Sequence, residues 1–192
     1  MKKKYFSILE TLKEGETSLA KPNDKVLLID GLNTFIRSFA VSPVMNDNGI
    51  HVGGITGFLM SIGYAIRMLQ PTRVIICFDG KGGSQRRRKL FPDYKGNRLV
   101  RSKLNRTNAF VDKTAEDENM KMQLGRLVQY LDNLPVQILA PQNIEADDAI
   151  AYITKQCLTD SKIFIMSSDK DFIQLVDDRI AVWSPTKKKL YF

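Results

Sequence analysis

The sequence predicts an α/β domain organised around a mostly parallel sheet. Three observations carry the prediction. Short apolar runs of buried-strand type, at Val26–Ile29, Val74–Phe78 and Ile163–Met166, alternate with longer segments whose apolar residues recur at helical spacing. Gly, Pro and Asn clusters punctuate the segments between them. Acidic residues recur immediately after the runs, as Asp30, Asp79 and Asp169. In an open parallel sheet the carboxyl ends of the strands share one edge, where ligand sites form.

The elements follow in order. Residues 1–24 form a polar extension in which Ile8, Leu9 and Leu12 have the spacing of a short helix. A first strand, Lys25 to Ile29, runs into a helix with Leu32, Phe35, Ile36 and Phe39 on one face. After the loop Asn46-Asp47-Asn48-Gly49, the pair Gly53-Gly54 opens a helix carrying Phe58, Leu59, Ile62, Ile66 and Leu69, which Pro71 stops. A second strand, Arg73 to Phe78, delivers Asp79 and then Gly80-Lys81-Gly82-Gly83-Ser84, read as a flexible hinge. Met120, Leu124, Leu127, Val128 and Leu131 mark a helix over Asp117 to Asn133, and Val136 to Leu139 is a short third strand. The next helix, capped by Asn143, is expected to bury Ala146, Ala149, Ile150, Ile153 and Cys157. Lys162 to Met166 and Arg179 to Trp183 complete the set as strands four and five.

The balance of charge points to an anionic partner. Lys and Arg number 29 against 21 Asp and Glu, a formal net charge of +8, and nucleic acid is the commonest anion for a basic domain of this kind. The excess is concentrated: Arg86, Arg87, Arg88, Lys89, Lys95, Arg98, Arg101, Lys103 and Arg106 face Asp93 alone. This stretch reads as a solvent-exposed basic arm. A solvated charge run explains the arm equally well until Phe91 and Tyr94 are considered, because bases need stacking partners where phosphates need cations. No apolar run approaches the roughly 20 residues of a membrane span. The start Met1-Lys2-Lys3-Lys4 is not followed by a signal-peptide core, since Glu10, Lys13, Glu14 and Glu16 interrupt it, and the chain is read as cytoplasmic. Cys77 and Cys157 are read as reduced core residues.

Seven carboxylates are candidates for one site: Asp30, Asp79, Glu145, Asp147, Asp148, Asp169 and Asp171. Each has a bland explanation, since Asp30, Asp79 and Asp169 can cap helices or turns, and Glu145, Asp147 and Asp148 can complement a helix dipole. Capping does not explain acids at three strand ends together with an acidic triplet at a helix start. Glu145 and Asp148 are three apart and share one helical face. An all-oxygen donor set without His or Cys selects Mg²⁺ or Mn²⁺ rather than zinc. Two such ions ~4 Å apart activate a water and stabilise the leaving oxygen of a phosphodiester. Other chemistries lack their residues: position 32 is Leu where a haloacid-dehalogenase-type phosphatase needs a second acid, residues 80–84 do not have phosphate-loop spacing, and His51 has no triad and reads as a surface residue.

Five motifs in order carry a family resemblance: Ile29-Asp30-Gly31, Phe78-Asp79-Gly80-Lys81-Gly82, Phe91-Pro92-Asp93-Tyr94-Lys95-Gly96-Asn97-Arg98, Ile144-Glu145-Ala146-Asp147-Asp148 and Ser168-Asp169-Lys170-Asp171-Phe172. The chain resembles the 5′-nucleases of the flap endonuclease superfamily, similar to the 5′-3′ exonuclease domain of bacterial DNA polymerase I and to phage ribonuclease H-type 5′-exonucleases. The resemblance implies a PIN-like three-layer α/β domain over residues 25–192, with a basic helical arch or arm at about 82–118. It implies hydrolysis of DNA or RNA at a 5′ end or 5′ flap, two Mg²⁺ ions for which Mn²⁺ substitutes, and a role in replication or repair. Asp30, Asp79, Glu145, Asp147 and Asp148 would serve the first ion, Asp169 would lie between the two, and Asp171 would face the second. Lys95 and Arg98 match the arch cations that steer the scissile phosphate, with Asp30 and Asp79 as their catalytic partners. Gly53, Gly54, Arg86, Arg87, Arg88, Tyr94 and Arg101 join them as nucleic-acid contacts.

Family members continue into a helix-three-turn-helix region that grips the duplex and adds second-site carboxylates, whereas this sequence ends at Phe192. The carboxylates present are thus sufficient for a first ion and few for a second. Two other readings stay open: a non-catalytic module that binds DNA ends, and a PIN-type ribonuclease acting on single strands. Expected partners are flapped DNA or RNA primers and replication proteins, with a monomeric chain and no membrane.

Overall fold

The computed structural model describes residues 21–93 and 103–192. Six strands form one sheet: β1 Lys25–Asp30, β2 Arg73–Cys77, β3 Gln137–Leu139, β4 Lys162–Met166, β5 Ile180–Ser184 and β6 Lys189–Tyr191. Their order is β3-β2-β1-β4-β5-β6, with every pair parallel except β5 and β6. Val26, Leu27, Leu28 and Ile29 of β1 are all completely buried, which is why β1 reads as an unbroken apolar run rather than an alternating one. The strand sits at the centre of the sheet with helices on both faces.

On one face pack α1 (Gly31–Val41), α2 (Gly53–Leu69) and α4 (Lys113–Leu131), which enclose Leu27, Ile29, Phe35, Phe39, Phe58, Leu127 and Trp183. On the other, α5 (Ala146–Tyr152) and a 3₁₀ turn at Lys170–Leu175 close over Val26, Leu28, Ile150, Ile165 and Phe172. A short helix, α3 (Gln85–Leu90), follows β2. The outcome is the α/β domain with a mostly parallel sheet that the strand and helix alternation predicts, in the three layers that the family resemblance implies. Among the described residues no helix is long and apolar enough to cross a membrane.

Several local expectations change. His51 is not a surface residue: it is 2% exposed, drawn under α2 by a bridge between Met45 and His51. Its Nε2 lies 2.7 Å from the Ser42 carbonyl oxygen and its Nδ1 3.1 Å from Gln123 Nε2, while Phe39 and Phe110 meet the ring edge to face. The Ser42 carbonyl oxygen can only accept, so the Nε2 that faces it carries a hydrogen. Cys157 is exposed, because Ile153–Cys157 forms a π-helical turn. The wider turn brings Thr154 and then Leu158 inward and leaves Cys157 outside. Cys77 is a core residue as expected, and burial, reinforced by Asp30, pushes its thiol up to about 12 and keeps it neutral.

Asn143 does not cap α5; it adopts φ 59° two residues earlier, and Glu145 occupies the cap position. Helix α4 starts at Lys113 because the Asp112 carboxylate accepts the Ala115 amide at 2.8 Å. The glycine-rich stretch after Asp79 is pinned rather than a flexible hinge. The Gly80 amide donates to the Ile144 carbonyl at 3.0 Å, and the Asn143 amide to that of Lys81 at 3.0 Å. A Cβ on Gly80 would stand 1.7 Å from the Pro141 carbonyl oxygen, so only glycine fits. The β6 strand has no counterpart in the sequence reading, and the proposed helix around Ile8, Leu9 and Leu12 lies outside the described residues.

Candidate metal centre and active site

The sheet order creates the site. Strands β1, β2 and β3 step to one side and β4 and β5 to the other, so the strand order reverses between β1 and β4, a position at which α/β sheets form ligand crevices. Register places Ile29 beside Met166, which brings Asp30 level with Ser167 at the carboxyl edge. Asp30 uses both oxygens structurally. Oδ1 accepts the Asn33 amide at 3.2 Å and caps α1, and Oδ2 accepts the Ser167 hydroxyl at 3.1 Å. Burial pushes the Asp30 carboxyl up to about 6, opposed by those two hydrogen bonds and reinforced by the negative charges of Asp79 and Asp169.

Asp79 stands two residues beyond the end of β2, and its Oδ1 accepts the Ala146 amide at 2.7 Å. It caps α5 across the chain. Asp169 caps the 3₁₀ turn through the Asp171 amide at 3.0 Å, and its own amide donates to Ser167 Oγ at 3.0 Å. Each cap occupies one oxygen, so capping is compatible with a ligand role for the other oxygen of Asp79 and Asp169, whereas Asp30 engages both of its oxygens. Asn33 ties the first turn of α1 to the segment after β4 by accepting the Ser168 hydroxyl at 2.7 Å.

Glu145, Asp147 and Asp148 form the tightest group, with one oxygen from each lying within 4.8 Å of the others. Glu145 is 3% exposed, whereas Asp147 and Asp148 reach solvent. Arg87 of α3 bridges all three: Nη1 lies 2.6 Å from Glu145 and 3.3 Å from Asp147, and Nη2 lies 2.5 Å from Asp148. Asp147, Asp148, Asp169 and Asp171 share a cleft of about 210 Å³ with Arg87. The seven acids thus lie along one edge as linked subsets rather than at one point.

Other predicted contacts fall differently. Gly53 and Gly54, expected to face a duplex, are buried: a Cβ on Gly53 would meet the Ser42 carbonyl oxygen at 2.4 Å, and one on Gly54 would meet Phe35 at 2.8 Å. Close packing of α2 onto α1 and α4 accounts for both, and Gln123 Oε1 already accepts the Ile55 amide at 3.1 Å. Arg87, expected in an exposed arm, is committed to the acids, while Arg88 on the same helix is exposed. Tyr94, Lys95, Arg98, Arg101 and the Arg86 side chain lie outside the described residues. Sequence reasoning missed Ser167, Ser168 and Asn33 as groups that position the site. Their signal was the polar Ser-Ser step directly after an apolar strand.

A doubly wound sheet with an acidic carboxyl edge and a helix start turned toward it is the PIN-like α/β arrangement. The chain belongs to the family described as "5′-3′ exonuclease, N-terminal resolvase-like domain", which matches residues 25–192. It is 28% identical over 165 residues to a 5′-3′ exonuclease of Bacillus subtilis, covering 83% of this chain and 50% of that one. It is 29% identical over 164 residues to DNA polymerase I of Streptococcus pneumoniae, covering 82% of this chain and 17% of the polymerase. The chain therefore spans half or less of these relatives. In fold it is similar to the flap endonuclease of bacteriophage T5 solved with DNA and metal ions, with a TM-score of 0.66, 21% identity, and coverage of 87% of this chain and 57% of that one.

Proposed function

We propose that this chain is the catalytic domain of a metal-dependent 5′-3′ exonuclease and 5′-flap endonuclease that hydrolyses phosphodiesters of DNA or RNA–DNA in replication or repair. The observation that carries the reading is the row of carboxylates, from three strand ends and a helix start, along the carboxyl edge of the sheet in a chain of net charge +8. The Asp30 carboxyl is raised chiefly by burial, with the negative charges of Asp79 and Asp169 adding to it. Family membership supports the same reading.

The donor set fits a hard divalent cation, because every candidate ligand atom is a carboxylate oxygen and a guanidinium already stands against three of them. Glu145, Asp147 and Asp148, with Asp30 and Asp79, would hold a first Mg²⁺, and Asp169 and Asp171 would face a second; Mn²⁺ would substitute. Such ions, when bound, supply an activated water and a counter-charge for the leaving oxygen. The remaining work belongs to the chain. Ser167 and Asn33 fix Asp30, the Ala146 amide fixes Asp79, and the basic residues Arg86, Arg88, Lys95, Arg98 and Arg101 with Tyr94 would hold the substrate strand. DNA bearing 5′ flaps or RNA primers is the substrate we assign, with replication proteins as partners, acting as a monomer in the cytoplasm of a bacterium or phage-infected cell.

The test is a 5′-labelled flap duplex incubated with the protein and Mg²⁺. Release of short 5′ products that ceases in Asp79→Asn is the expected result. A protein that binds the flap and the metal yet yields no product in Mg²⁺ or Mn²⁺ would leave only end recognition.

A further inference from the structure

Arg87 occupies an unusual place for a residue of a substrate-binding arm. Its guanidinium contacts Glu145, Asp147 and Asp148 at 2.6, 3.3 and 2.5 Å, which are the three carboxylates grouped tightly enough to share one ion. Glu145 is 3% exposed, and a buried carboxylate needs a cation or several hydrogen bonds to remain charged. Arg87 provides part of that compensation. It reaches the acids because the Gly80–Gly83 turn, bonded to Ile144 and Asn143, holds the start of α3 against the start of α5.

Arg87 also separates two spaces. It lines the acidic cleft on one side and, with Leu90, Ile144, Tyr152 and Ile153, an apolar cavity of about 750 Å³ on the other. The side chain therefore has room to leave the carboxylates without displacing the core. A divalent cation held by the same three carboxylates would stand close against the guanidinium, and like charges at that range repel strongly.

We propose that Arg87 is a built-in counter-cation of this site, which a divalent metal displaces, so that metal entry and release of Arg87 are one exchange. The inference rests on the metal-dependent reading above. It makes Arg87 a positioning residue that keeps the acids gathered before the metal arrives and sets a lower metal affinity than the carboxylates alone would have. It also couples the metal site to α3, the helix that leads into the basic stretch.

Mn²⁺ binding, followed by electron paramagnetic resonance on the whole chain, tests the exchange in wild type, Arg87→Gln and Arg88→Gln. Arg88→Gln removes the same charge from the same helix, from an exposed position. The expected result is binding at least about tenfold tighter in Arg87→Gln and little changed in Arg88→Gln. In the wild-type protein, Mg²⁺ should also shift the Arg87 guanidinium ¹⁵Nη resonances away from their carboxylate-paired positions, a readout that needs no variant. Equal or weaker Mn²⁺ binding in Arg87→Gln, or an Arg87 resonance unmoved at saturating Mg²⁺, overturns the exchange while leaving the metal site standing. No Mn²⁺ uptake by any of the three proteins overturns the metal site and the exchange with it.

Discussion

The Asp79 carboxylate accepts the backbone amide of Ala146 at 2.7 Å, so the acid at the end of β2 caps the helix that carries the acidic triplet. Two properties are thereby merged in one side chain. Asparagine caps helices about as well as aspartate, whereas alanine does not. Asp79→Asn should therefore retain nearly wild-type stability while losing flap cleavage. Asp79→Ala should lose cleavage and about 1 kcal/mol of stability as well. Urea denaturation alongside the cleavage assay checks the pair; equal stability loss in both variants would show that the cap contributes nothing.

Asp30 should make stability depend on pH in the direction opposite to most carboxylates. Its carboxyl is pushed up from 3.8 to about 6, chiefly by burial, so the folded chain holds that proton more tightly than the unfolded one. The penalty is fully present above about pH 6 and disappears as pH falls through the window down to 3.8. In chelator, Asp30→Asn should stabilise the fold at pH 7.5 by about 2 kcal/mol, with the gain fading toward pH 4. Melting curves across that range decide, and a constant difference would reject the linkage.

Glu116 should show the ordinary sign. Burial alone would raise its carboxyl, but the Asn105 amide at 2.6 Å, the Lys113 ammonium at 2.9 Å and the Leu104 amide at 3.0 Å outweigh it and leave the carboxyl lowered. Its contribution is present above the ordinary value of 4.5 and is lost as pH falls through the lowered folded value. Glu116→Gln should cost about 2–4 kcal/mol at pH 7 and less at pH 3, below the ordinary value of 4.5. Chemical denaturation at the two pH values measures it.

The glycines of α2 should separate cleanly on substitution. A Cβ at Gly63 meets nothing within 4 Å, so Gly63→Ala should stabilise by about 0.5–1 kcal/mol through helix propensity. Gly53→Ala would drive its Cβ to 2.4 Å from the Ser42 carbonyl oxygen and should destabilise by about 2 kcal/mol or more. Thermal melts of both variants check the contrast. An unchanged melting point for Gly53→Ala would mean that the α1–α2 connection yields easily.

What the sequence made legible is what hydrophobic period and strand-end chemistry control. Five of the six strands, the long helices and the acidic edge follow from buried runs and from the acids beside them. His51 was misread because nothing local announces burial; the hydrogen bonds from Gln123, far along the chain, stabilise the ring inside. Cys157 was misplaced because a π-helical turn breaks the spacing on which the reading relied. Gly53 and Gly54 looked like phosphate contacts, yet their want of side chains answers a steric demand from Ser42 and Phe35. Arg87 could be read as basic but not as paired, because its partners lie on a helix that only the tertiary fold brings near.

The position of β1 has a consequence for how the chain folds. Among the described residues β1 is the earliest strand in sequence, yet it sits inside the sheet, pairing Val26 with Arg73 on one side and with Ile163 on the other. Its second flank stays open until nearly the whole domain has been synthesised. Pairings so distant in sequence are slow to close, and β1, with four completely buried residues, waits longest for its last neighbour. During translation that strand is the segment most in need of a chaperone, and any truncation ahead of β4 should aggregate rather than persist as a smaller fold.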